Sequence, residues 1–373
     1  MDSRQASALR DTLRASFAMR KSRLESLCVL VIGVFVARTA NLSHLACHFP
    51  GGAQTASNYR RLQRFFEQVR FDFGALAKVL VAMMGREDGP WRLTMDRTNW
   101  RLGRRDVNIL VIGIVHRGIA IPLLWDLLDK KGNSNTRERI SIVQRVIALF
   151  GVDKIAGLLA DREFLGDDWL AWLQKSAIDF HIRIRADIKI ANARGRMIKG
   201  GKLFRDLKPG QSRVLRARRQ LGGSGRPKAR PVWVAAARLA TDELLIVVTN
   251  AEPKEALATY ALRWEIETLF AAMKTRGFNL EDTHMTNHER VSKLVAVLAI
   301  AFCWAHKIGE WLHETKPIRL KSHQRRAKSI FRYGFDQIRR YLVNPPATPQ
   351  ALDPIHFLAT ASTPIQPPRL PTS

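Results

Sequence analysis

The chain has 373 residues, 46% of them apolar, enough to bury a sizeable core and to form two or three domains. Its 61 Lys and Arg outnumber 33 Asp and Glu, giving a net charge of +28. Such a surplus suits a polyanion, because Lys and Arg displace counterions from phosphates; nucleic acid is the expected partner, and a membrane-surface or ribosomal role fits less well. The three cysteines, Cys28, Cys47 and Cys303, match no zinc spacing and no disulfide framework, which fits a reducing cytoplasm. The apolar runs Leu27 to Ala37 and Leu294 to Ala305 fall short of the ~18 residues that span a bilayer, so both read as buried helices and no membrane partner is expected. Residues 1–23 have no signal-peptide layout.

Residues 1–88 read as a helical domain, with helices over Arg23 to Thr39, over Leu42 to Phe49 and from Thr55 onward. The last begins with Ser, Thr and Asn and carries basic and aromatic residues at helical spacing. Two readings fit it. Arg60, Arg61 and Arg64 can face a DNA groove, or the helix is simply amphipathic, with Leu62, Phe65 and Phe66 in the core and the arginines in water.

After a turn at Glu87 to Pro90 the texture changes. Arg92 to Arg97, Val107 to Val115 and Ile119 to Leu128 read as strands, the last two joined as a hairpin at Arg117-Gly118. Asn135 with Glu138 forms a capping-box pattern that opens a helix to Phe150. Ile155 to Ala160 has the unbroken apolar run of a strand buried on both faces. A helix near Asp168 to Lys175 and a strand over Phe180 to Arg185 complete the order β-β-β-α-β-α-β. This is the order of an RNase H-like fold, so the predicted class is α/β: an RNase H-like catalytic domain over 89–315, flanked by N-terminal and C-terminal helices.

Residues 186–250 interrupt that order as a basic, β-rich insertion. Between Lys189 and Arg230 there are fourteen Lys or Arg and one acid, Asp206. A solvated face does not need so one-sided a ratio, and phosphate contact by residues such as Arg216, Arg218 and Arg219 is the better reading. Gly222-Gly-Ser-Gly is no phosphate loop, since no Gly-Lys-Ser/Thr follows it. Val232 to Leu239 and Glu243 to Thr249 read as strands, and 254–275 and 286–314 as helices. A basic helical region over 316–343 follows, with nine basic residues and one acid between Lys316 and Arg340 and a helix around Phe335 to Leu342. A Pro-rich tail over 344–373 reads as disordered.

Three acids carry the chemistry. Asp96 ends the first predicted strand and Asp161 follows the central one, where ligands gather in α/β sheets. A lone Asp there is more often a turn or cap residue. On a helix through 259–276, at about 100° per residue, Tyr260, Arg263, Glu267 and Lys274 fall within an arc of roughly 60°, beside an apolar arc of Leu262, Ile266, Leu269 and Met273. Arg263 and Glu267 could be no more than an i,i+4 pair. Taken together, Asp96, Asp161 and Glu267 make the oxygen-rich site that Mg²⁺ or Mn²⁺ prefers. Phosphodiester hydrolysis by two ions ~3.5–4 Å apart needs such carboxylates, to bridge and flank the ions while positions stay open for DNA oxygens. Arg263 and Lys274 can then bind phosphates, and Tyr260 can bond a phosphate oxygen or order Glu267.

At these residues the sequence resembles the insertion-sequence-four family of bacterial DDE transposases. Tyr260-Ala-Leu-Arg263-Trp-Glu-Ile-Glu267, then six residues and Lys274, fits that family's Tyr-Arg-Glu-Lys signature; Asp96-Arg-Thr-Asn-Trp and Ala160-Asp161-Arg-Glu-Phe look like its two Asp motifs. Gly132-Asn-Ser-Asn-Thr between them also has the family's look. The resemblance covers about residues 20–340. It implies cut-and-paste transposition: a homodimer in a paired-end complex on terminal inverted repeats, with two metal ions held by Asp96, Asp161 and Glu267. One strand is cut by water, the freed 3′-OH attacks the other, in several members through a hairpin, and the end is joined to target DNA. Some members hold a flipped base with a Trp in the last insertion strand. That strand has no Trp here, and Trp233 or Trp264 is the candidate substitute, each equally readable as a core residue. Two rivals are a metal-dependent nuclease that cuts without joining and a non-catalytic DNA-binding inhibitor of transposition; the acidic set argues against the second.

Overall fold

A computed structural model describes residues 9–344 apart from 11–12, 15–16, 18, 103–104, 223–226 and 323, together with Pro354. The tail reading for 344–373 therefore lies almost wholly outside the described residues. The chain forms two compact units: one of residues 88–98 and 108–268, the other of 1–87, 99–107 and 269–373.

The strands are β1 (Trp91–Leu102), β2 (Arg105–His116), β3 (Ile119–Leu128), β4 (Ile155–Ala160), β5 (Phe180–Ile184), β6 (Lys189–Ala191), β7 (Met197–Lys199), β8 (Ser212–Val214), β9 (Trp233–Arg238) and β10 (Leu244–Thr249). The first unit is built on an eight-stranded sheet of order β3-β2-β1-β4-β5-β10-β9-β8, while β6 and β7 form a separate hairpin. β1 is parallel to β4 and β4 to β5, whereas β2 and β3 form an antiparallel pair. The hairpin turn takes positive φ at both Arg117 (46°) and Gly118 (96°), the primed geometry that matches strand twist. β10 pairs antiparallel with β5, and β9 and β8 follow it, so much of the basic stretch read as an insertion extends the main sheet.

α5 (Thr136–Phe150) crosses from β3 to β4, and α6 (Asp167–Lys175) from β4 to β5. The predicted capping box is present: Asn135 Oδ1 accepts from Glu138 N at 3.0 Å and Glu138 Oε2 from Asn135 N at 2.7 Å. In β4, a Cβ at Gly157 would stand 3.3 Å from the Asp179 carbonyl oxygen, so a bare residue lets the strand lie close to the segment that enters β5.

The second unit is helical. It holds α1 (Lys21–Ala37), α2 (Leu42–Ala46), α3 (Thr55–Gln68), α4 (Phe73–Met83), α10 (His288–Thr315) and α11 (Ile330–Val343). Two short helices, α7 (Gly200–Leu203) and α8 (Ala256–Ala261), belong to the sheet unit, and α9 (Glu265–Met273) runs from one unit into the other. α10 is longer than the apolar run that announced it. By length and composition it could cross a membrane, yet most of its apolar stretch is buried inside the protein, as in the core helix of a globular unit. It packs on α1, α3, α4 and α11. Phe35, Phe278, Trp304 and Phe335 meet there edge-on or tilted, and bare backbone at Gly309 and Gly334 lets α10 and α11 approach closely.

Candidate active site

β1 runs five residues past the predicted Arg97, so Asp96 sits within a strand rather than at its end. The polar run Asp96-Arg-Thr-Asn hid the continuation, because no apolar alternation marks it. Pairing with β4 nevertheless stops just before Asp96: the last partners are Met95 and Ala160. Asp96 and Asp161 come next along these two adjacent parallel strands. Strand register thus brings them side by side.

The helix predicted through 259–276 is broken. α8 ends at Ala261, a 3-10 turn covers Leu262–Trp264, and α9 begins at Glu265. Glu265 anchors that start on the β2–β3 hairpin, accepting from His116 N at 2.7 Å and Gly118 N at 3.0 Å. Arg263 lies in that turn and is buried. Its Nη1 donates to Asp96 Oδ2 and its Nη2 to Glu267 Oε1, each at 2.9 Å. Tyr260 Oη lies 3.3 Å from Asp161 Oδ1. Arg263 is buried at 3% side-chain exposure, Asp96 shows 16% and Glu267 45%. Tyr260 and Arg263, expected at phosphates or at Glu267, are thus engaged with the carboxylates themselves.

The electrostatics are those of crowded acids in a partly dry place. Burial raises the Asp96 pKa to about 6; Arg263 and the Arg97 N–H pull it down, while Glu163 and Asp161 push it up. Burial also raises the Tyr260 phenol, which therefore keeps its proton and can donate to Asp161. Burial opposes the Arg263 charge, whereas the neighbouring acids Asp96, Glu267 and Asp161 favour it.

The profile of the transposase DDE domain family matches residues 92–304, more than half of the chain and all three acids. The chain belongs to this family. It is a DNA transposase, an enzyme of metal-dependent strand cleavage and transfer. Among solved structures it is similar to a piggyBac transposase synaptic complex with hairpin DNA, at 10% identity and a TM-score of 0.43, covering 99% of this chain and 84% of that one. No curated protein matches the chain.

Other expected contacts of the transposase are distributed more widely. Lys274 follows α9 in the helical unit, its Nζ 5.9 Å from the Trp100 ring centre. On α3, Leu62, Phe65 and Phe66 are buried as the amphipathic reading requires. Arg60 and Arg64 are exposed, whereas Arg61 binds Ser26 Oγ at 3.0 Å and the Ser22 carbonyl at 3.3 Å, tying α3 to α1. Arg216 and Arg218 are exposed and Arg219 is half-buried. Trp264 is 56% exposed, with the Arg263 guanidinium 4.8 Å from its ring, while Trp233 is half-buried beside Arg218. Sequence reasoning assigned no role to Arg97, Asn108, Glu163 or Glu265. Arg97 and Glu163 lie inside the quoted Asp motifs, but only their partners reveal what they do.

Proposed function

We propose that this transposase belongs to the insertion-sequence-four type, and that Asp96, Asp161 and Glu267 are its catalytic carboxylates. One observation carries the assignment: two acids follow the last paired residues of adjacent parallel strands, and Arg263 ties the third acid to the first. The strand order 3-2-1-4-5, with the β2–β3 hairpin antiparallel, supports an RNase H-like core.

The donor set fits two Mg²⁺ or Mn²⁺ ions. It offers only carboxylate oxygens, the preference of hard cations, and a guanidinium already occupies the space between Asp96 and Glu267 as a stand-in cation. Asp96 and Asp161 would hold the ions together with Glu267; the ions would activate the attacking oxygen and stabilise the leaving one. The chain's own residues prepare this site. Tyr260 orients Asp161, and Arg263 bonds both Asp96 and Glu267 and offsets their charge.

In this reading the helical residues 1–88 bind DNA, with Arg60 and Arg64 facing it, and the basic strands around Arg216, Arg218 and Arg219 contact phosphates. A cytoplasmic homodimer brings two inverted repeats together, cuts at the element's ends and joins them to target DNA. The test is Glu267→Ala on a duplex carrying the terminal repeat that borders its own coding sequence. Binding should persist while Mg²⁺-dependent nicking stops. Nicking by the variant would remove Glu267 from the site.

A further inference from the structure

Beside the three acids lies a second ionic constellation, centred on Arg97 and Glu163. The Arg97 N–H donates to Asp96 Oδ1 at 2.7 Å. The Arg97 guanidinium turns the other way and grips Glu163 with both arms, Nε to Oε1 and Nη2 to Oε2, each at 3.1 Å. Its Nη1 also reaches Asn108 Oδ1 at 3.0 Å, and Nη2 reaches Asn133 Oδ1 at 3.1 Å. Glu163 stands two residues past Asp161, in the 3-10 turn Arg162–Phe164.

The partners are themselves pinned. Asn108, buried on β2, donates to the Lys130 and Gly132 carbonyls at 3.2 and 2.8 Å. Arg139, buried on α5, donates to Ser134 Oγ and to the Glu163 carbonyl, both at 2.9 Å. Glu163 is therefore held by its side chain through Arg97 and by its main chain through Arg139. One guanidinium joins the strand that carries Asp96, the neighbouring strand, the loop before α5 and the turn that follows Asp161.

An Arg whose side chain is only 10% exposed is costly to bury, and a well-packed apolar residue would often serve stability as well. Its planar fork does what an apolar residue cannot, since it fixes the direction of several oxygen atoms at once. We propose that Arg97 is a positioning residue of this site, setting the separation of Asp96 and Asp161 by clamping Glu163. The role rests on Asp96 and Asp161 being the metal-binding acids. Arg97 also neutralises Glu163, so the metal-binding set stays at three carboxylates rather than four.

The experiment compares the full-length protein with Arg97→Lys, Glu163→Gln and the double variant on the terminal-repeat duplex. Arg97→Lys keeps the charge and loses the fork. Partners that orient metal ligands typically shift affinity about 10–100-fold when altered. The Mn²⁺ concentration for half-maximal nicking should rise by about that factor in both single variants, with duplex binding in EDTA unchanged. The rise in melting temperature that Mn²⁺ produces without DNA should shrink in parallel, a change that a merely structural role would not produce. The double variant should be no worse than either single one, because both act through one interaction. Unchanged Mn²⁺ dependence in the single variants, or additive defects in the double, overturns the proposal. Asp96→Asn separates the two levels: nicking by that variant brings down the site and the clamp together, whereas a dead Asp96→Asn beside a normal Arg97→Lys brings down the clamp alone.

Discussion

Replacing Arg263 by Gln should destabilise the metal-free protein, and a divalent ion should undo much of the loss. The guanidinium is almost fully buried and lies 2.9 Å from both Asp96 and Glu267. Two unit charges about 4 Å apart interact by roughly 4 kcal/mol at the effective dielectric of such a site. Glu267 is nearly half exposed, so its share is small. Asp96 is different: it is largely buried and already raised to about 6 with Arg263 beside it. Without the guanidinium it would take up a proton near neutral pH, which caps the cost. The expected loss is about 2–4 kcal/mol at pH 8 and less at pH 6, where protonation is easier. Urea denaturation in EDTA at both pH values measures it, and repeating the series with Mn²⁺ should narrow the gap to wild type. Equal stability of variant and wild type in EDTA at pH 8 would show that this ion pair does not hold the acids in solution.

Three further outcomes are expected. Because the folded Asp96 pKa of about 6 lies above its ordinary value of 3.8, the folded state keeps a proton that the unfolded chain has released. Its contribution is fully present below about 4 and lost as pH rises through about 6; Asp96→Asn should therefore remove a fall of up to about 3 kcal/mol in metal-free stability across that window, and an identical pH–stability curve refutes it. A Cβ at Gly334 would overlap the Ala305 carbonyl on α10, so Gly334→Ala should cost about 3 kcal/mol or more, read as a lower melting temperature. Replacing Arg216, Arg218 and Arg219 together should flatten the salt dependence of DNA binding, by up to about 0.9 for each phosphate no longer neutralised, and an unchanged slope excludes these residues from the interface.

Much of this protein could be read from the one-dimensional pattern because the relevant forces are local. The capping box at Asn135 and Glu138, the hairpin at Arg117-Gly118 and the unbroken apolar run of β4 each depend on residues a few positions apart. The charge surplus named a polyanionic partner before any element was placed. What the pattern missed depended on distant residues. β1 continued through a polar stretch, and the helix carrying Tyr260 and Arg263 broke into α8, a 3-10 turn and α9, with Glu265 bonded to a hairpin 147 residues earlier in the chain.

The site divides in the same way. Sequence alone determined which residue types were available: two acids after apolar strands, a third on a later helix, and a Tyr and an Arg at fitting intervals. Only tertiary structure decided their relations. Strand register set Asp96 beside Asp161, and burial made Arg263 a counter-ion for carboxylates instead of an exposed side chain. Arg97 and Glu163, 66 residues apart, acquired meaning only when the sheet brought them to 3.1 Å. Periodicity reports which face a residue shares with its neighbours in sequence; the charge that a side chain finally meets is set by the fold.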